Sequence, residues 1–197
     1  MTAEHHTDSR ISRQVRDLET LLEDRGIIEP GELDRSIEEF LAGGSPANGA
    51  RIVARSWVDE GFRRRLLDGA NQAITELGLS MGGGLQEQRL RVVENTADTH
   101  NVIVCTLCSC YPVALLGPSP GWYRREAYRS RVVRDPRGVL SEFGLELDPD
   151  VHVAVWDASA ETRYMVLPRR PDGSEGLSEA ELVGLVTRNG LIGTAPV

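Results

Sequence analysis

The first part of the chain carries hydrophobic residues at helical spacing on an otherwise charged background. The first stripe consists of Ile11, Val15, Leu18 and Leu22, and Gly26 follows where a helix commonly ends. A second short helix is predicted from Leu33 to Leu41, before a break of two glycines, a serine and a proline. Because such narrow stripes bury too little surface to fold alone, residues 1–45 are predicted to form a helical arm that packs on a partner.

From residue 46 onward the apolar positions become denser, and their period changes along the chain. Helical spacing predicts helices over Ile52–Val58, Phe62–Leu77, Tyr123–Val133, Pro136–Phe143 and Ser178–Val186. Short runs rich in β-branched residues predict strands over Leu90–Val93, Val102–Val104, Val151–Trp156 and Tyr164–Leu167. The expected class is α/β (α+β): the helical arm is followed by a layered domain, residues 46–197, with a mixed β-sheet core flanked by helices.

The charges of the chain are scattered, and their balance is acidic. Its 197 residues include 22 basic residues, all of them arginine, and 30 acidic residues, which gives a net charge of −8. This balance argues against sequence-independent binding to nucleic acid. No apolar run approaches the ~18 residues that a membrane span needs, and the polar N-terminus lacks the pattern of a secretory signal. We therefore expect a cytoplasmic protein that binds neither nucleic acid nor membranes.

All three cysteines of the chain lie close together, at Cys105, Cys108 and Cys110. A secreted disulfide framework spreads an even number of cysteines along the chain, so this odd cluster indicates metal or redox chemistry. His100 could complete a zinc site as a fourth ligand. Buried structural cysteines, or a disulfide from Cys105 to Cys108 or Cys110, are alternatives that the spacing leaves open.

The segment Cys105-Thr106-Leu107-Cys108-Ser109-Cys110 resembles the metal claw of the nitrile hydratase α-subunit family, to which the γ subunit of thiocyanate hydrolase is related. The resemblance covers most of the chain. Segments on both sides of the claw share it, namely Asn101–Val104, Trp122-Tyr123, Tyr128-Arg129, Arg131–Arg134, Pro136-Arg137, Val139-Leu140, Glu161–Tyr164, Val166–Pro168, Arg170-Pro171 and Leu191–Gly193. A claw with these flanking segments is a far more specific signal than two cysteines at the same spacing.

The resemblance implies one trivalent metal ion in an octahedral site. Cys105 would be the axial thiolate, and Cys108 and Cys110 would be equatorial sulfurs oxidised to sulfinate and sulfenate, respectively. The deprotonated backbone nitrogens of Ser109 and Cys110 would complete five protein ligands. The sixth position would stay open for water or substrate, as catalysis at a metal requires.

The resemblance also implies cobalt and partner subunits. Thr106 after the first cysteine and Tyr111 after the last are typical of the cobalt form, whereas serine at the first of these positions is typical of iron. One Co3+ per chain is therefore expected in preference to iron. The family's β-type subunit, which can be two separate chains, supplies arginines that hydrogen-bond the oxidised cysteines. A small cobalt-delivery chaperone is a further expected partner.

Four more residues are candidates for the site. Gln86 and Arg163 match family residues near the active site, and Tyr111 and Trp122 could line the substrate pocket. The ordinary alternatives are a loop amide for Gln86, an ion pair at the surface or strand edge for Arg163, and core packing for the two aromatic residues.

Val113 is the main departure from the family pattern. Nitrile hydratases have tryptophan at this position and thiocyanate hydrolase has arginine, so valine would enlarge the pocket and remove a cation. The expected activity is hydration of a neutral, bulky or heteroaromatic nitrile, such as a nucleoside nitrile, to the amide. The short chain resembles the α subunit of three-subunit, toyocamycin-type nitrile hydratases. The alternatives are a thiocyanate hydrolase γ subunit and a non-catalytic zinc or redox-sensing protein.

Overall fold

The computed structural model describes residues 3–81, 88–108 and 110–196, and the chain divides into two units, Met1–Phe40 and Leu41–Val197. Helix α1 (Ala3–Asp24) and most of α2 (Glu32–Gly43) form the first unit, so both helices predicted for the arm are present. The boundary between the units lies close to the predicted end of the arm at residue 45.

The hydrophobic stripe of α1 is largely exposed. Ile11, Val15 and Leu18 each expose more than half of their surface, at 52%, 52% and 56%. The helix ends at Asp24, and Gly26 follows in the turn with a φ of +63°, where the amide of Ile27 donates to the carbonyl of Leu22. An exposed apolar stripe agrees with the expected packing on a partner, which stays a prediction.

The second unit contains the remaining helices and four short strands. The helices are α3 (Pro46–Val58), α4 (Glu60–Asp68), α5 (Ala70–Thr75), α6 (Val113–Leu116), α7 (Glu126–Arg131), α8 (Pro136–Glu142), α9 (Glu179–Val183) and α10 (Arg188–Ile192). The strands are β1 (Arg89–Glu94), β2 (Thr99–Val104), β3 (His152–Asp157) and β4 (Thr162–Leu167). The mixture of helices and strands confirms the predicted fold class. Within the described ranges, none of the helices is long and apolar enough to cross a membrane.

The strands form two parallel pairs, β1 with β4 and β2 with β3. Parallel strands are usually covered on both faces and therefore form near-continuous apolar runs. Strand β2 follows this rule, because Val102, Ile103 and Val104 are all at most 1% exposed. His152, at the start of β3, is exposed. The buried strand β2 thus ends directly at Cys105.

Three predicted helices are shorter in the structure, and of the one expected over Ser178–Val186 only α9 is regular. The helix expected over Phe62–Leu77 is interrupted at Gly69, whose φ of −144° and ψ of 72° are not helical. Asn71 then fixes the start of α5 against β1: its Oδ1 accepts from Leu90 N at 2.7 Å and its Nδ2 donates to Gln88 O at 2.9 Å. Of the helix expected over Tyr123–Val133, only α7 is regular. In the helix expected over Phe62–Leu77, the contacts of Asn71 with β1 therefore override the helical periodicity of the sequence.

The last helix, α10, is fixed against β2 by a close backbone approach. Gly193 ends this helix at φ +89°, and a Cβ atom built there would lie 2.0 Å from the carbonyl oxygen of Asn101. The ring of His100 contacts the carbonyl oxygen of Gly193 through Nε2 at 2.8 Å. Since only glycine fits here, this contact fixes the strand that carries the cysteines.

Candidate metal centre

The three cysteine sulfurs converge where β2 ends. Cys105 is 1% exposed, directly after the last residue of the strand, whereas Cys108 is exposed and Cys110 is half-buried. The Sγ atoms of Cys105 and Cys108 are 3.2 Å apart, and those of Cys108 and Cys110 are 3.1 Å apart. All three lie within 4.8 Å of one another. The residues of the claw (Cys105 to Cys110) thus bring three soft donors to one point.

The spacing of these sulfurs discriminates between the possible sites. A disulfide bond is about 2.05 Å long, so the measured separations of 3.1–3.2 Å are those of separate sulfurs. Two sulfurs about 2.3 Å from one ion lie about 3.8 Å apart in a tetrahedral site and about 3.3 Å apart at a right angle. The measured separations fit the right angle of an octahedron, and hence fit the trivalent ion that the family resemblance implies.

His100 does not complete a zinc site with the cysteines. Its Nε2 contacts Gly193 O, and its Nδ1 lies 3.3 Å from Nδ2 of Asn95. Among the described residues, the metal-binding group contains the three cysteines without a histidine or carboxylate. A tetrahedral site with His100 as fourth ligand is therefore excluded by the direction of the histidine ring.

The surroundings of Cys110 favour the neutral form of its thiol. Burial, together with the hydrogen bond to Cys108, raises the pKa of the Cys110 thiol to about 12, while the charge of Arg163 acts in the opposite direction. A thiolate at this place therefore needs a compensating positive charge. A bound metal ion provides such a charge and stabilises the thiolate form.

An aspartate holds the first turn of the claw. Asp157 ends β3, where it lies opposite Val104 in the parallel register. Its Oδ1 accepts from Thr106 N at 2.9 Å, and its Oδ2 accepts from the Thr106 hydroxyl at 2.6 Å. Sequence reasoning assigned no role to Asp157. Its position at the carboxyl end of a strand parallel to β2 is the signal that could have identified it.

Three side chains from α7 and the segment before it hold the backbone of the claw and of β2. Tyr128 donates to Ile103 O at 2.7 Å, and Tyr123 donates to Cys110 O at 3.1 Å. Arg129 donates from Nη1 to the carbonyl oxygens of Thr106, at 3.2 Å, and Cys108, at 3.1 Å. These contacts fix backbone on both sides of the sulfurs. Sequence analysis singled out none of these three side chains as a site residue.

Arg163 lies on β4, is buried, and acts on the claw through its charge. Its Nη1 donates to the carbonyl oxygens of Ser159 and Ala160, the latter at 3.2 Å. Its effect on the pKa of Cys110 shows that the guanidinium is electrostatically coupled to the claw. Its predicted role in the active site remains a prediction. Gln86 and Ser109, the other two residues predicted for the site outside the cysteines, lie outside the described residues.

The three predicted pocket residues pack in or against the hydrophobic core. Tyr111 is buried, and the centroid of its ring lies 5.0 Å from that of Tyr123. The centroid of a Trp122 ring lies 4.6 Å from that of Phe143. Val113 begins α6 and is half-buried against the core. Their contribution to a substrate pocket stays a prediction. A cavity of about 450 Å³ in the described part of the chain is lined by Leu67–Gln72 and Arg89–Val92, away from the cysteines.

Comparison with known proteins relates the chain to two kinds of enzyme subunit. The family model described as "Nitrile hydratase, alpha chain" matches residues 9–195. The low-molecular weight cobalt-containing nitrile hydratase subunit alpha of Rhodococcus rhodochrous is 48% identical over 189 residues, which cover 96% of this chain and 90% of that protein. Thiocyanate hydrolase subunit gamma of Thiobacillus thioparus is 41% identical over 158 residues, which cover 76% of this chain and 65% of that protein.

A solved structure shows the same fold. It is a double mutant of the Fe-type nitrile hydratase from Comamonas testosteroni Ni1, which is 39% identical to this chain and superposes with a TM-score of 0.85. The match covers 95% of this chain and 90% of that one. Taken with the converging sulfurs and a family match along nearly the whole chain, these similarities show that the chain is an enzyme subunit of the nitrile hydratase α-chain family.

Proposed function

We propose that the chain is the metal-binding subunit of a cobalt nitrile hydratase and that it hydrates a nitrile to the amide together with a β-type subunit. The convergence of three sulfurs within 4.8 Å of one another, with two of the separations at 3.1–3.2 Å, carries this proposal. The sulfurs of Cys105, Cys108 and Cys110 and the backbone nitrogens of Ser109 and Cys110 would hold one Co3+. When bound, the ion supplies the Lewis acidity that makes the nitrile carbon accept water.

The choice of cobalt rests on the residue after the first cysteine and on the named relatives. Thr106 and Tyr111 follow the cobalt pattern, and a relative 48% identical to the chain is described as cobalt-containing. The Fe-type structure shows that the fold alone does not select the metal. Zinc is disfavoured because the sulfur separations match right angles rather than a tetrahedron.

The exposure of the cysteines supports the proposed pattern of oxidation. Cysteine oxidation requires access to an oxidant as well as thiolate character. Cys105 is 1% exposed, whereas Cys108 is exposed and Cys110 is half-buried. Cys108 as sulfinate and Cys110 as sulfenate, with Cys105 left as thiolate, is therefore the arrangement that the burial favours.

The claw needs a second surface to shield the substrate pocket from bulk solvent. Leu107, between the first two cysteines, is 90% exposed, although its side chain is apolar. We propose that a β-type subunit, as one chain or two, covers Leu107 and closes the substrate pocket over the sulfurs. The arm of residues 1–45 would hold that subunit, a small chaperone would deliver the cobalt, and the assembled enzyme would be cytoplasmic.

The proposed substrate is a neutral, bulky nitrile, with a heteroaromatic or nucleoside nitrile as the leading candidate. Val113 provides no positive charge for an anion such as thiocyanate, and it is several heavy atoms smaller than tryptophan. The similarity to thiocyanate hydrolase subunit gamma keeps thiocyanate hydrolysis as the alternative activity.

The test uses the chain produced together with its co-purifying subunits in cobalt-supplemented cells. We expect about one cobalt per chain, hydration of nitriles in preference to thiocyanate, and a chain mass raised by three oxygens. Cys110→Ala should lose cobalt and activity because the ligand set becomes incomplete. Full loading and unchanged turnover in Cys110→Ala, zinc in place of cobalt, or faster turnover of thiocyanate would contradict the proposal.

A further inference from the structure

The positively charged side chain of Arg129 contacts the claw and has no role in the proposed function. Arg129 of α7 donates through the single nitrogen Nη1 to the carbonyl oxygens of Thr106 and Cys108. Its Nε atom is buried and has no hydrogen-bond partner within the described ranges. In the same ranges, no carboxylate forms a salt bridge with Arg129. The guanidinium is thus directed at the claw and not neutralised by an acid.

The helix holds Arg129 firmly in this position. The preceding residue, Tyr128, is 6% exposed and donates to Ile103 O in the strand that leads into the claw. The ring of Tyr128 packs 4.9 Å from that of Trp122, and the amide of Arg129 donates to Arg125 O at 3.1 Å. Arg129 therefore reaches the claw from a supported helix rather than from a mobile loop.

The two carbonyls that Arg129 contacts belong to peptides of the claw itself. Cys108 O and the backbone nitrogen of Ser109, a proposed metal ligand, are part of the same peptide group. When such a nitrogen binds a metal, resonance places negative charge on the carbonyl oxygen. A hydrogen bond from a guanidinium to that oxygen is charge-assisted and therefore stronger than a neutral one.

We propose that Arg129 is a positioning residue for the metal centre, holding the claw through two carbonyl oxygens and offsetting the negative charge of the ligands. This inference rests on the proposed function, because the ion that it supports is the proposed cobalt. Asp157 binds the N–H and hydroxyl of Thr106, and Arg129 binds its carbonyl. The claw is therefore held by an anion at its donors and by a cation at its acceptors.

The test compares cobalt loading among three variants of the full-length chain, purified with its co-purifying subunits. Arg129→Gln removes the charge, whereas Arg129→Lys retains it, and one ammonium can replace the single nitrogen that makes both contacts. Arg131→Gln is the matched control, since Arg131 lies on the same helix and pairs with Glu142 at the surface. Cobalt per chain is measured by elemental analysis over a range of cobalt concentrations in the growth medium.

Loss of a residue that supports metal ligands costs about 10- to 100-fold in metal affinity. We therefore expect Arg129→Gln to need at least about tenfold more cobalt for half-loading, and Arg129→Lys and Arg131→Gln to stay within about threefold of the wild type. The inference is overturned if Arg129→Gln reaches half-loading at the same cobalt concentration as the wild type. It is also overturned if Arg129→Lys needs as much cobalt as Arg129→Gln. A wild-type complex that holds no cobalt overturns the proposed function as well.

Folding is followed by circular dichroism in every variant. If Arg129→Gln does not fold, Arg129→Met replaces it, because an unbranched apolar side chain keeps the packing of the arginine stem without its charge. Failure of both neutral variants to fold, while Arg129→Lys folds, would assign Arg129 to the stability of the chain and overturn its role at the metal.

Discussion

The side chains at the claw are of two kinds. Some are close together in the sequence, and others contact the claw only because the chain is folded. The three cysteines and Thr106 are adjacent in sequence, so their grouping could be predicted directly. Asp157 contacts Thr106 from 51 positions away and Arg129 from 23, with no spacing pattern that marks either contact. Predicting them required the parallel register of β2 with β3 and the docking of α7, which depend on packing.

Val113 allows a test of pocket size by one substitution. If neighbouring atoms do not collapse into the space left by an indole, the vacancy accepts a ring, whose burial contributes about 2 kcal/mol. We expect the assembled enzyme to have a higher kcat/KM for a heteroaromatic or nucleoside nitrile than for acetonitrile. Val113→Trp, compared at equal cobalt occupancy, should narrow or reverse that ratio. An equal preference for small nitriles in both proteins would assign specificity to the partner subunits.

His100 predicts a pH dependence of stability. Burial lowers its pKa from the usual 6.5, and the hydrogen bond to Gly193 opposes this shift. The unfolded chain therefore binds a proton near pH 6.5 that the folded chain binds only at lower pH, so the free energy of unfolding falls as the pH decreases below this value.

Urea unfolding at several pH values between 7.5 and about 5 measures the effect. His100→Gln should reduce the pH dependence of the unfolding free energy, even if the variant is less stable throughout. His152→Gln, at an exposed strand position, is the control. A slope in His100→Gln as steep as in the wild type would assign the pH dependence to other groups.

Among the described secondary-structure elements, most helices and the four strands could be predicted, whereas α6 and α10 could not. Helices α6 and α10 span only 4 and 5 residues, too few to show a hydrophobic period. The division of the predicted Phe62–Leu77 helix at Gly69 depends on the contacts of Asn71 with β1, and periodicity contains no information about such contacts. The helix predicted to begin at Ser178 has this residue as its N-cap, and a capping box of Ser178 with Glu181 is the local signal that fixes this start.

The close approach of α10 to β2 should make the stability of the chain sensitive to substitution of Gly193. Gly193→Ala places a Cβ atom against the backbone at Asn101 and strains a residue with φ of +89°. Because backbone cannot move aside as a side chain does, we expect the free energy of unfolding to fall by about 3 kcal/mol or more. Gly176→Ala is the matched control, since its Cβ would meet nothing within 4 Å. Equal urea midpoints for the two variants would show that β2 and α10 can move apart without loss of stability.

At the scale of the whole molecule, the described chain consists of a unit that carries the claw, Leu41–Val197, and a helical unit, Met1–Phe40, with an exposed apolar stripe. Assembly with another subunit is expected to cover that stripe, because Ile11, Val15 and Leu18 are each more than half exposed. We predict that backbone amides of residues 1–45 exchange hydrogen rapidly in the isolated chain and slowly in the complex. Hydrogen exchange measured by mass spectrometry, with residues 46–58 as the internal reference, provides the comparison. High protection of the arm in the isolated chain would show that it packs on its own domain.

The parallel pairing of β2 with β3 determines when the claw can form during synthesis and folding. The contact between Thr106 and Asp157 closes a loop of 51 residues, and this closure costs entropy before the contact yields any stability. A ribosome has translated the cysteines long before it reaches Asp157. The sulfurs are thus synthesised before the residue that holds their loop, and we expect the claw to form only after Asp157 has been translated.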